Sequence, residues 1–207
     1  MSKSIVLLIL LSAASIHGAD YWPTTPGSTF QYVNPSGELL DVEIRETYEA
    51  GQTVRHGVWK TAWGGCWSSE TMFTDEVGAV YLVRGDHMCA GGVDPDWINY
   101  APSLKLLDRP LEPQKPTLQI IEINGTPEYV LIEVSGPVTL TTPAGTFETM
   151  MVDVNPMFGA PYLGRTYWLH RNLGPVKIEP GEWELVGWTG VVANHEVTWS
   201  DVKTMFK

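Results

Sequence analysis

What most limits the folds open to this chain is the recurrence of short runs of alternating apolar and polar residues, each cut off by turn-forming residues. Leu118-Gln-Ile-Ile-Glu-Ile123 and Glu128-Tyr-Val-Leu-Ile-Glu-Val134 flank Asn124-Gly125. A period of two lines one face of a strand with apolar side chains, and Asn-Gly tolerates the positive φ angles of a two-residue hairpin turn. The pattern recurs along the chain. Ser28 to Val33 stops at Asn34-Pro-Ser-Gly37, and Leu40 to Tyr48 breaks at Ala50-Gly51, with Thr53 to Ala62 as the return strand. Glu70 to Thr74 and Ala79 to Val83 flank Asp75-Glu-Val-Gly78. Val138 to Thr142 and Phe147 to Val154 flank Pro143-Ala-Gly-Thr146, and Met150, Val152 and Val154 share a face that reads as core. Thr166 to His170, Val176 to Glu179 and Glu182 to Trp188 complete the series, with Val191 to Trp199 as a last edge. The count is roughly nine to eleven strands.

No amphipathic helix interrupts this pattern, although Asp96 to Leu107 is expected to hold one short helical turn. Leu107 to Pro116 carries three prolines and is expected to connect two β halves rather than form a strand. The expectation is a single all-β domain over residues 20–207, a curved antiparallel sheet or open β-barrel. Ahead of it, Lys3, the apolar run Ile5 to Leu11 and the small residues up to Ala19 have the layout of a secretory signal peptide. That run is far short of the roughly 20 residues needed to cross a bilayer. A secreted or periplasmic protein is expected, with no membrane span in its mature chain.

Thirteen Lys and Arg stand against 24 Asp and Glu, for a net charge of -11 and a pI near 4.8. Such a surface repels phosphate backbones and anionic lipids, so nucleic acid is an unsuitable partner. Cys66 and Cys89 are the only cysteines. In an exported protein they are expected to pair, closing a loop of about two dozen residues and contributing about 3 kcal/mol. A metal site built on Cys89 and His87 would lack both a second Cys-x-x-Cys and a spaced histidine pair, so neither metal nor cofactor is expected.

Trp59, Trp63 and Trp67 recur every four residues, yet Gly64-Gly65 opposes a helix there. Their rings, with Trp97 and Trp168, form the expected ligand platform, because indole faces stack on sugars; packing in the core is the competing role. His56, His87, His170 and His195 are scattered, and His87 beside Asp86 is the one catalytic candidate. Asp75-Glu76 and Asp94-Pro-Asp96 pair carboxylates in turn-like stretches. Ser68-Ser69 lacks a Gly-x-Ser-x-Gly elbow, and Arg84-Gly-Asp86 is a tripeptide that recurs by chance.

Three motifs carry a resemblance: Tyr21-Trp-Pro-Thr-Thr-Pro-Gly-Ser-Thr-Phe-Gln-Tyr32, Pro143-Ala-Gly-Thr-Phe147 and Gly174-Pro-Val-Lys-Ile-Glu179. In order and spacing the chain resembles a family of uncharacterised bacterial exported β-rich proteins. The resemblance implies a curved antiparallel sheet or open barrel in the periplasm or at the cell surface, and implies no catalytic residues. Many such proteins are lipoproteins, whereas no acylated cysteine follows the leader here. Together these readings favour a monomeric binding protein holding a small apolar molecule or a glycan on a concave β surface. One alternative is a polysaccharide-directed hydrolase using carboxylate and His residues near 75–97. The other is an envelope or extracellular interaction protein using an exposed β edge.

Overall fold

The structure is a computed structural model that describes residues 21–22, 26–49, 52–61, 67–74, 79–88, 96–108, 111–157 and 164–190. For 46–49, 52–61, 67–74, 86–88, 96–98 and 114 the description is of backbone and strand register. The expected leader, Cys66, Cys89, Trp63, Asp75, Glu76, Asp94, His195 and the edge at Val191 to Trp199 lie outside the described residues.

Twelve strands are described: β1 (Thr29–Val33), β2 (Leu39–Glu49), β3 (Gln52–Thr61), β4 (Trp67–Thr74), β5 (Val80–Met88), β6 (Asp96–Leu107), β7 (Gln114–Ile123), β8 (Thr126–Thr142), β9 (Gly145–Pro156), β10 (Arg165–His170), β11 (Gly174–Glu179) and β12 (Trp183–Thr189). Each pairs antiparallel with its neighbours in sequence, and β1 pairs with both β2 and β12. The all-β, antiparallel expectation is met. The hydrogen-bonded order returns to its start as an up-and-down barrel, where the sequence suggested an open one. Five register pairs, Thr29↔Thr189 to Val33↔Glu184, make that closure.

Two local expectations are corrected. Asp96 to Leu107 is strand, not a helical turn: it pairs with β5 from His87↔Asp96 to Val80↔Leu107 and buries Tyr100, Leu104, Leu106 and Leu107. Register shifts at two points of this pairing break the simple alternation that would have announced a strand. The proline-rich connection ends earlier than expected, because β7 already includes Pro116. Pro116 sits in the irregular step between Gln114 and Thr117, where its missing N–H costs no ladder bond.

Apolar side chains fill the described interior. Val130, Val152, Leu169, Val176 and Leu185 are fully buried, as are Met150 and Val154 nearly so. Alternate positions such as Gln31, Asp41, Arg45, Glu122 and Glu133 are exposed. Apolar inside and charged outside is the reverse of a lipid-facing barrel. Among the described residues no helix is long and apolar enough to cross a membrane. Within the core, Tyr32 donates its hydroxyl to the Pro175 carbonyl at 2.9 Å. Burial pushes its phenol far above the ordinary value, and neighbouring Tyr167 adds to the rise.

The β8–β9 hairpin is longer than the sequence suggested. β8 runs through Gly136-Pro137, which form a bulge between Ser135 and Val138. Gly136 takes φ +120°, open to glycine and poorly open to other residues. Below the bulge Val134, Met150 and Val152 are buried; beyond it Thr142, Phe147 and Thr149 are. Thr149 and Met150 are adjacent yet both buried, so the distal arm covers a second surface with its other face. That surface is the β10–β11 turn and the end of β12. Ala144 donates its N–H to Leu185 O at 3.0 Å, and His170 Nδ1 lies 2.9 Å from Glu148 O. The Phe147 ring centroid lies 5.3 Å from His170 and 6.5 Å from Trp188.

The β6–β7 seam has two register pairs, Tyr100↔Ile123 and Ala101↔Glu122. Farther along, a side chain replaces the missing rung. The Gln119 amide accepts from Lys105 N–H at 3.0 Å and donates to Lys105 C=O at 2.7 Å, as a backbone amide would.

Candidate functional site

A groove of about 560 Å³ runs over the outer surface of β2, β1 and β12. Its walls come from the polar half of the strand alternation. Thr29 and Gln31 of β1, Asp41 and Glu43 of β2 and Thr189 of β12 line it, between the buried positions Phe30 and Val42. Gly187 stands opposite Gln31 and adds no side chain, which deepens the groove at that point. Trp188 also borders it: 41% exposed, it is the register partner of buried Phe30 and so belongs to the core-facing row beside the polar one.

The polar groups are held in place. Gln31 donates from Nε2 to Asp41 Oδ1 at 3.0 Å, fixing the amide and the carboxylate against each other. The Thr29 and Thr189 hydroxyls bond to one another across the closing seam. Glu43 pairs with Arg45 Nη2 at 2.7 Å, and that contact holds the guanidinium firmly charged. The groove thus presents carboxylate and amide acceptors, amide and hydroxyl donors, and an indole, in a setting short of positive charge. This combination suits a neutral polyhydroxylated ligand, with hydroxyls bonded by the polar row and an apolar face laid on the ring.

Of the expected tryptophan platform, only Trp168 has a described side chain. Trp168 is half-buried on β10, packed against the core, with Lys177 Nζ 5.1 Å from its ring centroid. Trp59, Trp67 and Trp97 are strand positions on β3, β4 and β6. Trp59 is the register partner of Val42 and Ser68, Trp67 of Lys60 and Met88, and Trp97 of Asp86. By register Trp59 belongs to a different row from Trp67 and Trp97. Trp188 was not among the expected ligand residues, because in an alternating strand it reads as core.

Asp86 and His87 follow one another on β5 and so stand in successive rows. Asp86 pairs with Ser69 and Trp97, and His87 with Ser68 and Asp96. The His87 row can be followed across the sheet as Trp188, Phe30, Val42, Trp59, Ser68, His87 and Asp96, each the register partner of the next. The neighbouring row runs Ile44, Gly57, Glu70, Gly85 and Ile98. Among the described residues no group of three or more His, Cys, Asp and Glu is arranged to hold a metal ion. No family model, curated protein or solved structure matches the chain.

Proposed function

We propose that this is a secreted or periplasmic glycan-binding protein that seats a neutral sugar chain in the groove over β2, β1 and β12. The observation that carries the reading is a groove that combines the ordered polar row Thr29, Gln31, Asp41 and Thr189 with the part-exposed indole of Trp188 at its border. The ring supplies a stacking face, the row supplies hydrogen bonds, and the acidic surroundings disfavour an anionic ligand. Among the described side chains an apolar cluster fills the interior, which gives an apolar cargo less support there. A Cys66–Cys89 disulfide belongs to the same proposal. What supports it is that Trp67 and Met88 are a register pair, and that Cys66 and Cys89 are their immediate neighbours in sequence.

The test is a neutral-oligosaccharide array followed by titration of each hit against intrinsic tryptophan fluorescence. Saturable quenching is expected, with Trp188→Ala and Gln31→Ala each weakening the affinity at least about tenfold, as for loss of one stacking ring or one fixed hydrogen bond. Hits whose affinity ignores both substitutions, or no hit at all, would remove the groove as the binding site.

A further inference from the structure

We propose that the outer face of β7 and β8 is a docking surface for a basic amphipathic helix of a second protein. Seven large apolar side chains are exposed among the described residues, and four of them, Leu118, Ile120, Tyr129 and Met157, meet on this face. Ile120 and Tyr129 are register partners, as are Leu118 and half-buried Leu131. Directly opposed residues of an antiparallel pair share a face, with Cβ atoms about 4.5–5.5 Å apart. Met157 joins them from just past the end of β9, where its N–H donates to Tyr129 O at 2.8 Å. Ile120 is 59% exposed while Ile121, the next residue, is buried, so β7 packs against the core with its other face. Apolar side chains scattered singly over a surface need no explanation, whereas a contiguous group rimmed by charge marks an interaction site.

The charges on the rim select the partner. Outward positions read Leu118, Ile120, Glu122 along β7 and Tyr129, Leu131, Glu133 along β8, which runs the other way. The antiparallel pairing therefore sets carboxylates at both ends of the apolar group, Glu122 at one and Glu133 with its register partner Asp153 at the other. Thr166 Oγ1 donates to Asp153 Oδ1 at 2.8 Å and holds that carboxylate in place. Lys115, the single Lys or Arg of β7 and β8, falls in the irregular step between Gln114 and Thr117, off the apolar rows. A second copy of this chain would bring Glu122, Glu133 and Asp153 against like charges, and an anionic lipid surface would meet the same repulsion from a chain of net charge -11. A segment with Lys or Arg at both ends of an apolar stripe is the complement.

The dimensions suit one helix. Glu122 faces Pro127 across the ladder, and Glu133 lies farther along β8, so the acidic ends are about 20 Å apart at about 3.3 Å per residue. A helix covers that length in about 13 residues. From Ile120 across Tyr129 to Met157 is two strand spacings, about 10 Å, the width of a single helix. An apolar sheet face is ordinarily covered by a helix or another sheet, and this one has neither among the described residues. The face shares no residue with the groove over β2, β1 and β12, so the two proposals succeed or fail separately.

The probe is a fluorescein-labelled peptide of about 16 residues, built from Ala, Leu and Gln with an apolar stripe at helical spacing and a pair of Lys at each end. Titrated with the purified protein and followed by anisotropy, it is expected to bind saturably, and a peptide of the same composition in shuffled order at least about tenfold more weakly. Ile120→Ser and Tyr129→Ser are each expected to weaken binding at least about tenfold, as for loss of a central anchor. Glu122→Gln combined with Glu133→Gln is expected to weaken it about fivefold at low salt and to flatten its salt dependence. Glu148→Gln combined with Glu182→Gln, the same change of charge elsewhere, is expected to bind as wild type does. Equal binding of the ordered and shuffled peptides would overturn the proposal, as would wild-type affinity in Ile120→Ser and Tyr129→Ser, or no binding by protein with native near-ultraviolet circular dichroism. A wild-type dimer in sedimentation that Ile120→Ser dissolves would also overturn it, by giving the face to a second copy.

Discussion

Tyr32→Phe removes a single oxygen from a fully packed site, and two separable effects should follow. The residue is 1% exposed and its hydroxyl donates to Pro175 O at 2.9 Å. The variant keeps the ring and its packing but leaves that carbonyl without the donor, in a position where water has little access. The cost expected near neutral pH is about 1–3 kcal/mol, the penalty for a buried acceptor that loses its partner. In urea, with an m value of about 2 kcal/mol per molar, the midpoint should fall by about 0.5–1.5 M. The second effect depends on pH. Burial raises the folded-state phenol above its unfolded value of about 10, so this contribution is intact below about pH 10 and is lost as pH rises beyond it. There the unfolded chain releases a proton that the folded chain retains, and stability falls by about 1.4 kcal/mol per pH unit from this group alone. Tyr32→Phe has no such proton. The stability gap between wild type and variant should therefore narrow by that amount per unit between about pH 10 and 11, while lysines and other tyrosines act on both proteins alike. Urea titrations at neutral and alkaline pH, followed by tryptophan fluorescence, give both numbers. A gap that stays constant with pH, or a variant as stable as wild type at neutrality, would refute the reasoning.

Three further outcomes follow from particular contacts. Gly136→Ala would place a methyl 3.0 Å from Thr149 O at φ +120°, and should lower stability by about 1–3 kcal/mol in calorimetry. Gln119→Ala removes both hydrogen bonds to the Lys105 backbone, so it should cost about 1–2 kcal/mol and speed hydrogen exchange of the Lys105 amide. Leu185→Ala empties a fully buried core position and should cost about 2–5 kcal/mol, whereas Ile120→Ala on the outer surface of β7 should stay within about 0.5 kcal/mol, both by urea denaturation.

Local turn chemistry and alternation were the legible parts of this fold. Asn124 and Gly125 take φ values of 50° and 82°, the geometry that made Asn-Gly readable as a hairpin turn. Met150, Val152 and Val154 were readable as one apolar face and are buried together. Irregularities hid the rest. Gly136-Pro137 looks like the end of a strand, yet the ladder absorbs it as a bulge and continues to Thr142. The register shifts between β5 and β6 erase the period of two that would have marked β6. The groove was half visible. Thr29, Gln31, Asp41 and Glu43 are the polar members of clear alternations, hence outward, but no local pattern says that Thr189 joins them or that Trp188, opposite buried Phe30, stays 41% exposed.

The pairing of β1 with β12 has a consequence for the order of assembly. Every other pairing in the ring joins strands adjacent in the chain, so each can form as a hairpin soon after its turn does. The last one joins residues 160 apart, as at Thr29 and Thr189, and closing a segment that long costs about 4–5 kcal/mol of chain entropy if made in isolation. Once the meander has formed, most of that cost has already been met, so the seam is expected to zip last in folding and to part first under stress. Strand β12 has two register pairs to β11 and five to β1, which concentrates its attachment on this late-forming contact. The groove straddles the same seam, with walls on β1 and β2 on one side and on β12 on the other. Whatever occupies it bridges the first described strand to the last, and so acts as a clasp that keeps the ring from unrolling.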